Sequence, residues 1–201
     1  MPDLPITAYT WLVSLLERKR QLVRDELTEA AVKLLAFQGF EETTIEQMAA
    51  AAGVSRRTFF RYFQSKEDVV IATLSEMGDR LAAGLAARPP AEPPTTALQS
   101  ALQLVFADKV AEHPEKTHRL ARITVQTPSI LARYLERQVV WKATLTGVLR
   151  DRMSADPADL RPAVLVAVAF AAFDTALIRW VDAPTESLDA IVDTCFAIAF
   201  P

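Results

Sequence analysis

The chain has 201 residues, 51% of them hydrophobic and 23% charged, which is enough to bury a substantial core and too apolar for an intrinsically disordered chain. Five glycines and one cysteine argue against a glycine-rich phosphate cradle and exclude an internal disulfide, while the abundance of Ala, Leu, Val, Glu and Arg favours helix. A net charge of −3 and a pI near 5.5 mean that any basic strip is local and implies a particular negatively charged partner.

Cys195 and two histidines have no metal-ligating spacing, so no metal or cofactor is expected, and a lone thiol fits a reducing, cytoplasmic setting. The opening stretch MPDLPITAYTWLVSLL lacks a basic region and a small-residue cleavage site, which makes it a poor signal peptide. Residues 1–16, with Trp11, are apolar and are expected to dock on the body of the protein. From Glu17 the pattern is helical. Val23, Leu27, Ala30, Ala31, Leu34 and Leu35 share one face, and Gly39 stops that helix near Gln38. A second helix opens with a capping box, either Thr44 with Gln47 or Thr43 with Glu46. Gly53 breaks it, and Ser55 is placed to cap a third. Ser65 and Asp68 repeat the capping signature for a fourth helix, expected from Lys66 to Ala87, with a stripe of Val70, Leu74, Met77, Leu81 and Leu85.

The segment RPPAEPP, Arg88 to Pro94, cannot continue a helix, because proline lacks the amide donor and clashes with the preceding turn. Beyond it Leu98, Ala101, Leu102, Val105 and Phe106 form a fifth stripe. A sixth helix begins at Pro114. A seventh begins at Pro128 and carries Leu131, Leu135, Trp141, Leu145, Val148 and Leu149. Ala163 to Val181 is apolar nearly all round and must be covered on several sides. Its most apolar part, Ala163 to Ile178, contains Asp174 and is short for a membrane span. The last helix places Leu188, Ile191, Val192, Cys195, Phe196 and Ala199 on one face, where Cys195 reads as a small buried hydrophobe.

A short helix, a glycine turn and a second short helix make a helix-turn-helix, whose second helix enters the DNA major groove. Here Ile45, Met48 and Ala49 face inward, Val54, Phe59 and Phe63 anchor the second helix, and Arg56, Arg57, Thr58, Phe60 and Arg61 point outward. Arginine can bind guanine O6 and N7 with two bonds, threonine can bond base or phosphate, and Phe60 can pack on a thymine methyl. Thr44 and Lys66 stand at helix starts, where phosphates are held. No nucleophile with its base, paired acids or cofactor loop is visible, so an enzyme is not expected.

From Gly39 to Val69 the sequence GFEETTIEQMAAAAGVSRRTFFRYFQSKEDV resembles the DNA-binding signature of the TetR family of bacterial repressors. That order is a glycine and aromatic ending the first helix, Thr-Thr, a hydrophobic-Ala-Ala segment, Gly-Val-Ser, a Thr-aliphatic-Tyr run, Tyr or His before Phe, and Ser-Lys-Glu. The resemblance implies an all-α homodimer on a palindromic operator of double-stranded DNA, with a three-helix helix-turn-helix domain followed by a helical bundle for ligand binding and dimerisation. The implied layout is an extension at 1–16, the DNA-binding domain at 17–65, a connecting helix at 66–87, a proline linker at 88–94 and the bundle at 95–201. Carried over by position, Thr44, Arg57, Thr58, Phe60, Tyr62 and Lys66 are contact residues. With Ser55, Arg56 and Arg61 they complete the candidate DNA face. Phe60 stands where tyrosine is commoner, which removes one phosphate bond. Arg18, Lys19, Arg20 and Arg24 either follow the DNA backbone or form a solvated helix start.

The stretch RLARITVQTPSILARYLERQ with the helices after it is similar to an actinobacterial subgroup that includes mycofactocin-type regulators. That similarity implies a small apolar or acyl-CoA-like effector. The candidate pocket residues are Phe106, Ile123, Gln126, Tyr134, Trp141, Phe170, Phe173 and Asp174, since such pockets are mostly apolar with a few placed polar groups. Asp174 is costly to bury alone; it pairs with an arginine, binds a ligand group or reaches the surface, with pairing or exposure the expectation. Arg119, Arg122, Arg133 and Arg137 suit a phosphate-bearing ligand or form a solvated stripe. The apolar surfaces of the last two helices suit a four-helix homodimer interface. Two rival readings stay open: a TetR-like protein without an inducer, and a ligand-binding bundle without DNA activity.

Overall fold

The computed structural model describes residues 6–183 and 185–201. The regular elements among them are helices: α1 (Ile6–Gln38), α2 (Ile45–Ala51), α3 (Arg56–Tyr62), α4 (Lys66–Ala72), α5 (Met77–Ala86), α6 (Pro94–Glu112), α7 (Pro114–Gln126), α8 (Pro128–Arg152), α9 (Arg161–Asp182) and α10 (Leu188–Ala199). They fall into two compact units, Met1–Ala72 and Thr73–Pro201.

In the first unit α1 ends where its glycine dictates. Gly39 takes φ +99°, a conformation strained for any side chain, and its amide donates to the Leu35 carbonyl at 2.9 Å. Thr43, 1% exposed, turns its hydroxyl back to the Gly39 carbonyl at 2.6 Å. It is therefore Thr44 and Gln47 that close the capping box on α2. Gly53, at φ +65°, makes the turn, and Ser55 caps α3 by accepting the Thr58 amide at 3.1 Å. Leu27, Ala31 and Leu35 of α1 are buried, as are Met48, Ala49, Phe59, Phe63, Val69 and Val70. Burial of a side chain the size of Phe59 stabilises by about 1.5–3 kcal/mol.

Two expectations change here. The first helix starts at Ile6, not at Glu17, because residues 6–16 contain no glycine or proline to break it; residues 1–5 and the Trp11 side chain lie outside the described residues. The helix expected from Lys66 to Ala87 is interrupted. α4 stops at Ala72, Thr73–Glu76 form a turn in which the Met77 amide donates to the Leu74 carbonyl at 3.2 Å, and α5 begins at Met77. Thr73 and Ser75 are weak helix formers whose hydroxyls compete for backbone groups.

In the second unit α9 is the central helix and packs against α6, α7, α8 and α10. It buries Val166, Ala169, Phe170, Phe173, Ala176 and Leu177. It is long and apolar enough to cross a membrane by composition alone, but half of it is buried inside this unit. α10 lies along α9 and α6, where Gln99 and Gln103 donate to Asp193 at 2.7 and 2.9 Å. The proline linker is fastened from outside itself: Arg152 of α8 donates to the carbonyls of Arg88 and Pro89 at 2.6 and 2.9 Å.

The buried stripe of α8 is Ile130, Tyr134, Gln138, Trp141, Leu145 and Leu149. Of the expected stripe, Leu135 is 48% exposed, because a polar Gln138 inside the true stripe disguised its phase. α5 lies flat against α8 at Gly78, where a side chain would overlap the indole of Trp141.

Candidate nucleic-acid interface and effector site

The short α3 is held from beneath and open above. Phe59 is fully buried and packs on Phe63 with ring centroids 5.7 Å apart. On the other face Arg56, Arg57, Phe60 and Arg61 are exposed and Thr58 is half-buried. Arg57 has no hydrogen bond or ion pair among the described residues, which leaves its guanidinium available. Arg56 is partly committed, reaching Glu46 of α2 at 3.0 Å and lying over the Phe60 ring at 5.5 Å. Arg61 lies over Tyr62 at 5.1 Å and donates to its hydroxyl at 3.3 Å.

The polar residues at the rim also have structural work. The Thr44 hydroxyl accepts the Gln47 amide at 3.2 Å, and the hydroxyls of Ser55 and Thr58 bond each other at 3.0 Å. Each sits at a helix start, where free amides favour an anion. Lys66 is engaged within its own unit. Its ammonium donates to the Phe40 carbonyl at 2.7 Å, lies 4.2 Å from the Phe40 ring and sits 3.9 Å from Glu41, so it ties the start of α4 to the loop after α1. On α1 the side chains of Arg18, Lys19, Arg20 and Arg24 are exposed. Arg20 and Arg24 border a cleft of about 320 Å³ together with Glu17, Gln21, Arg61 and Tyr62, a lip that carries three guanidiniums and one carboxylate.

The second unit has an outer cleft of about 740 Å³ walled by Phe106, Ala107, Val110, His118, Arg119 and Trp180 among others. A separate inner cavity of about 70 Å³ is bounded by Phe106, Thr124, Tyr134 and Leu177 among others. Phe106 is the wall they share. Of the other candidate pocket residues, Ile123, Trp141, Phe170 and Phe173 are buried in the core, while Gln126 is exposed and takes no part in either cavity.

Among the described residues Asp174 pairs with no arginine. Its Oδ1 accepts the Tyr134 hydroxyl at 3.0 Å and the Gln138 amide at 2.7 Å. Burial pushes the Asp174 carboxyl above its ordinary range, opposed by those two hydrogen bonds and by the charge of Lys142. Burial, then the neighbouring carboxylate, pushes the Tyr134 phenol well above its usual value. Gln138 escaped sequence reasoning because a glutamine seldom marks a core; its spacing of four from Tyr134 was the available signal. Cys195 is half-buried rather than buried as its stripe suggested, and desolvation raises its thiol, which disfavours the thiolate.

Residues 27–73 match the family model described as bacterial regulatory proteins, tetR family, and residues 92–199 match the MftR C-terminal domain. The transcriptional regulator TcmR of Streptomyces glaucescens is 36% identical over 158 residues, covering 76% of this chain and 70% of TcmR. A putative mycofactocin biosynthesis regulator, MftR, of Mycobacterium tuberculosis is 25% identical over 187 residues, covering 88% of this chain and 90% of that protein. Among solved structures, NalD, the secondary repressor of a multidrug efflux pump in Pseudomonas aeruginosa, superposes with a TM-score of 0.63 at 19% identity, covering 91% and 96% of the two chains. Thermus thermophilus FadR, solved with lauroyl-CoA, gives 0.60 at 20% identity over 88% and 92%. These relatives are regulators rather than enzymes, and this chain belongs to the TetR family as an all-helical, helix-turn-helix transcriptional regulator.

Proposed function

We propose that the chain is a cytoplasmic repressor that binds a palindromic operator as a homodimer through the outer face of α3 and releases it when a small apolar effector occupies the Thr73–Pro201 unit. The observation that carries this reading is the open face of α3. Arg57 is unengaged among the described residues beside Thr58, Phe60 and Arg61, on a helix fixed by Phe59, in a chain whose net charge is negative. Arg57 and Arg61 read base edges or phosphates, Phe60 packs on a thymine methyl, and Thr44, Ser55, Thr58 and Tyr62 position the backbone.

A dimer is supported by the outward stripe of α9. Val164, Ala167, Ala171, Thr175 and Ile178 are exposed at helical spacing, and their small size allows close approach of a symmetry-related helix. Ala190, Thr194, Ala197 and Ile198 extend that stripe on α10. A two-fold pairing there suits a palindromic operator, whose half-sites repeat about 34 Å apart. The outer cleft falls within the usual size of a small-molecule site, and the FadR neighbour with lauroyl-CoA supports an acyl-type effector. Switching the operator from nearly full to nearly empty needs a differential affinity of about 5.5 kcal/mol. The Thr73–Glu76 turn, through which the chain passes between units, is the segment that has to transmit it.

The test is selection from a pool of random duplex DNA, followed by the mass of the complex. An enriched inverted repeat holding two chains is expected. An unenriched pool, or one chain on an asymmetric site, overturns the reading.

A further inference from the structure

The long α1 presents a face left uncovered among the described residues. Leu15, Arg18, Lys19, Leu22, Asp25 and Glu26 recur at intervals of three and four, so they line one side of the helix, opposite the side on which Leu27, Ala31 and Leu35 are buried. All six are exposed, Leu15 at 46% and Leu22 at 63%. From Glu17 to Glu26 every residue except the half-buried Val23 is open to solvent. A helix in a protein gains most of its stability from packing one of its faces, and this stretch has little packed against it.

Charge along that face selects the partner. Arg18 and Lys19 lie one turn before Leu22, and Asp25 and Glu26 lie one turn after it. Arg18, Lys19 and Glu26 have no hydrogen bond or ion pair among the described residues, while Asp25 accepts from the Gln21 amide at 2.7 Å. The basic run is thereby divided between two sides of the helix. Arg20 and Arg24 border the cleft with Arg61 and Tyr62, and Arg24 lies over the Phe63 ring at 5.3 Å, whereas Arg18 and Lys19 belong to the uncovered side. A second copy of the helix laid antiparallel across Leu22 brings Arg18 and Lys19 of each copy to Asp25 and Glu26 of the other, and Leu22 to its own counterpart. A parallel pairing sets like charges side by side.

We propose that the outer face of α1 is a self-association surface, on which two copies of this chain cross antiparallel at Leu22 and exchange ion pairs between Arg18 or Lys19 and Asp25 or Glu26. The inference rests on α1 alone and stands whether or not α3 binds an operator. Together with the pairing proposed for α9 and α10, it gives each chain two distinct two-fold contacts, which suffice to assemble copies beyond a dimer. Two or three turns of helix from each copy bury less than the roughly 1,200 Å² typical of a lasting complex, so the contact is transient and is read by trapping it.

The test is disulfide trapping in the full chain without DNA, with the sole cysteine removed as Cys195→Ala. An antiparallel crossing brings Leu22 to its own copy and Leu15 to Glu29. Leu22→Cys is therefore expected to link to itself at least about tenfold faster than Leu15→Cys does, since pairing raises the local thiol concentration, and a mixture of Leu15→Cys and Glu29→Cys chains is expected to link to each other. Adding Arg18→Glu and Lys19→Glu to Leu22→Cys brings its rate down to that of Leu15→Cys. Adding Asp25→Lys and Glu26→Lys to that variant as well restores it, which a folding defect would not do. Equal rates for Leu15→Cys and Leu22→Cys, or a rate for Leu22→Cys that charge reversal leaves unchanged, overturns the proposal. Weaker duplex binding by the chain with Arg18→Glu and Lys19→Glu, with Leu22→Cys linking no faster than Leu15→Cys, also overturns it and gives these two residues to DNA.

Discussion

Gly78→Ala tests the packing of α5 on α8, because propensity and geometry give opposite signs. Replacing glycine in a helix interior by alanine gains up to about 1 kcal/mol from propensity alone, and less in a first turn. At Gly78, the second residue of α5, the new Cβ overlaps the Trp141 indole and stands 2.6 Å from its Nε1. That ring has little room to retreat, since Trp141 is 5% exposed and the Tyr134 ring lies 6.0 Å away at its edge. Overpacking of this kind costs about 1–3 kcal/mol, so the net expectation is a loss of about 1–2 kcal/mol. Gly147 of α8 is the control, because an added Cβ there meets nothing within 4 Å, and Gly147→Ala is expected to gain about 0.5–1 kcal/mol. Urea unfolding followed by near-ultraviolet circular dichroism of the tryptophans gives both values. Equal stabilisation by the two alanines refutes the α5–α8 contact.

The half-buried carboxyl of Asp174 gives a pH prediction. Its native proton affinity is raised by burial, so the native state binds the proton more tightly than the unfolded chain does. Its contribution is therefore present below the ordinary carboxylate value near 4 and lost as pH rises through the raised native value. Asp174→Asn, whose oxygen still accepts from Tyr134 and Gln138, flattens that decline and raises the urea midpoint at neutral pH. Lys66→Met leaves the Phe40 carbonyl without its donor and costs the first unit about 1–2 kcal/mol, seen as faster hydrogen exchange around Thr43 to Gln47. Unchanged exchange with weaker DNA binding instead assigns Lys66 to phosphate. Ala171→Arg on the α9 stripe is expected to give monomers in sedimentation, while Val139→Arg, on the exposed apolar face of α8, leaves dimers; the reverse result moves the interface to α8.

Local chemistry was legible in the sequence wherever a residue has one strong conformational reason. Gly39, Gly53, Ser55 and the prolines at 114 and 128 mark their elements correctly, because positive φ, capping and a missing amide donor act within a few residues. The break at Thr73–Glu76 was hidden because the stripe from Val70 to Leu85 stays buried across it, so periodicity alone suggested one helix. On the outer face of α3, the exposed arginines followed from the pattern. The diversion of Arg56 to Glu46 and of Lys66 to Phe40 did not, since both partners come from another element. The same holds at Asp174: its partners, Tyr134 and Gln138, lie at least 36 residues away in sequence.

The central claim is that the outer face of α3 carries DNA recognition, and the salt dependence of binding tests it most directly. Affinity for the selected duplex is measured across salt concentrations for wild type, Arg57→Ala and the α6 control Gln99→Ala. A steep fall with salt in wild type is expected, with the slope reduced by about 1 and the sequence preference relaxed in Arg57→Ala, and no change in the control. Identical slopes and preferences in wild type and Arg57→Ala contradict the claim and leave α3 a solvated face.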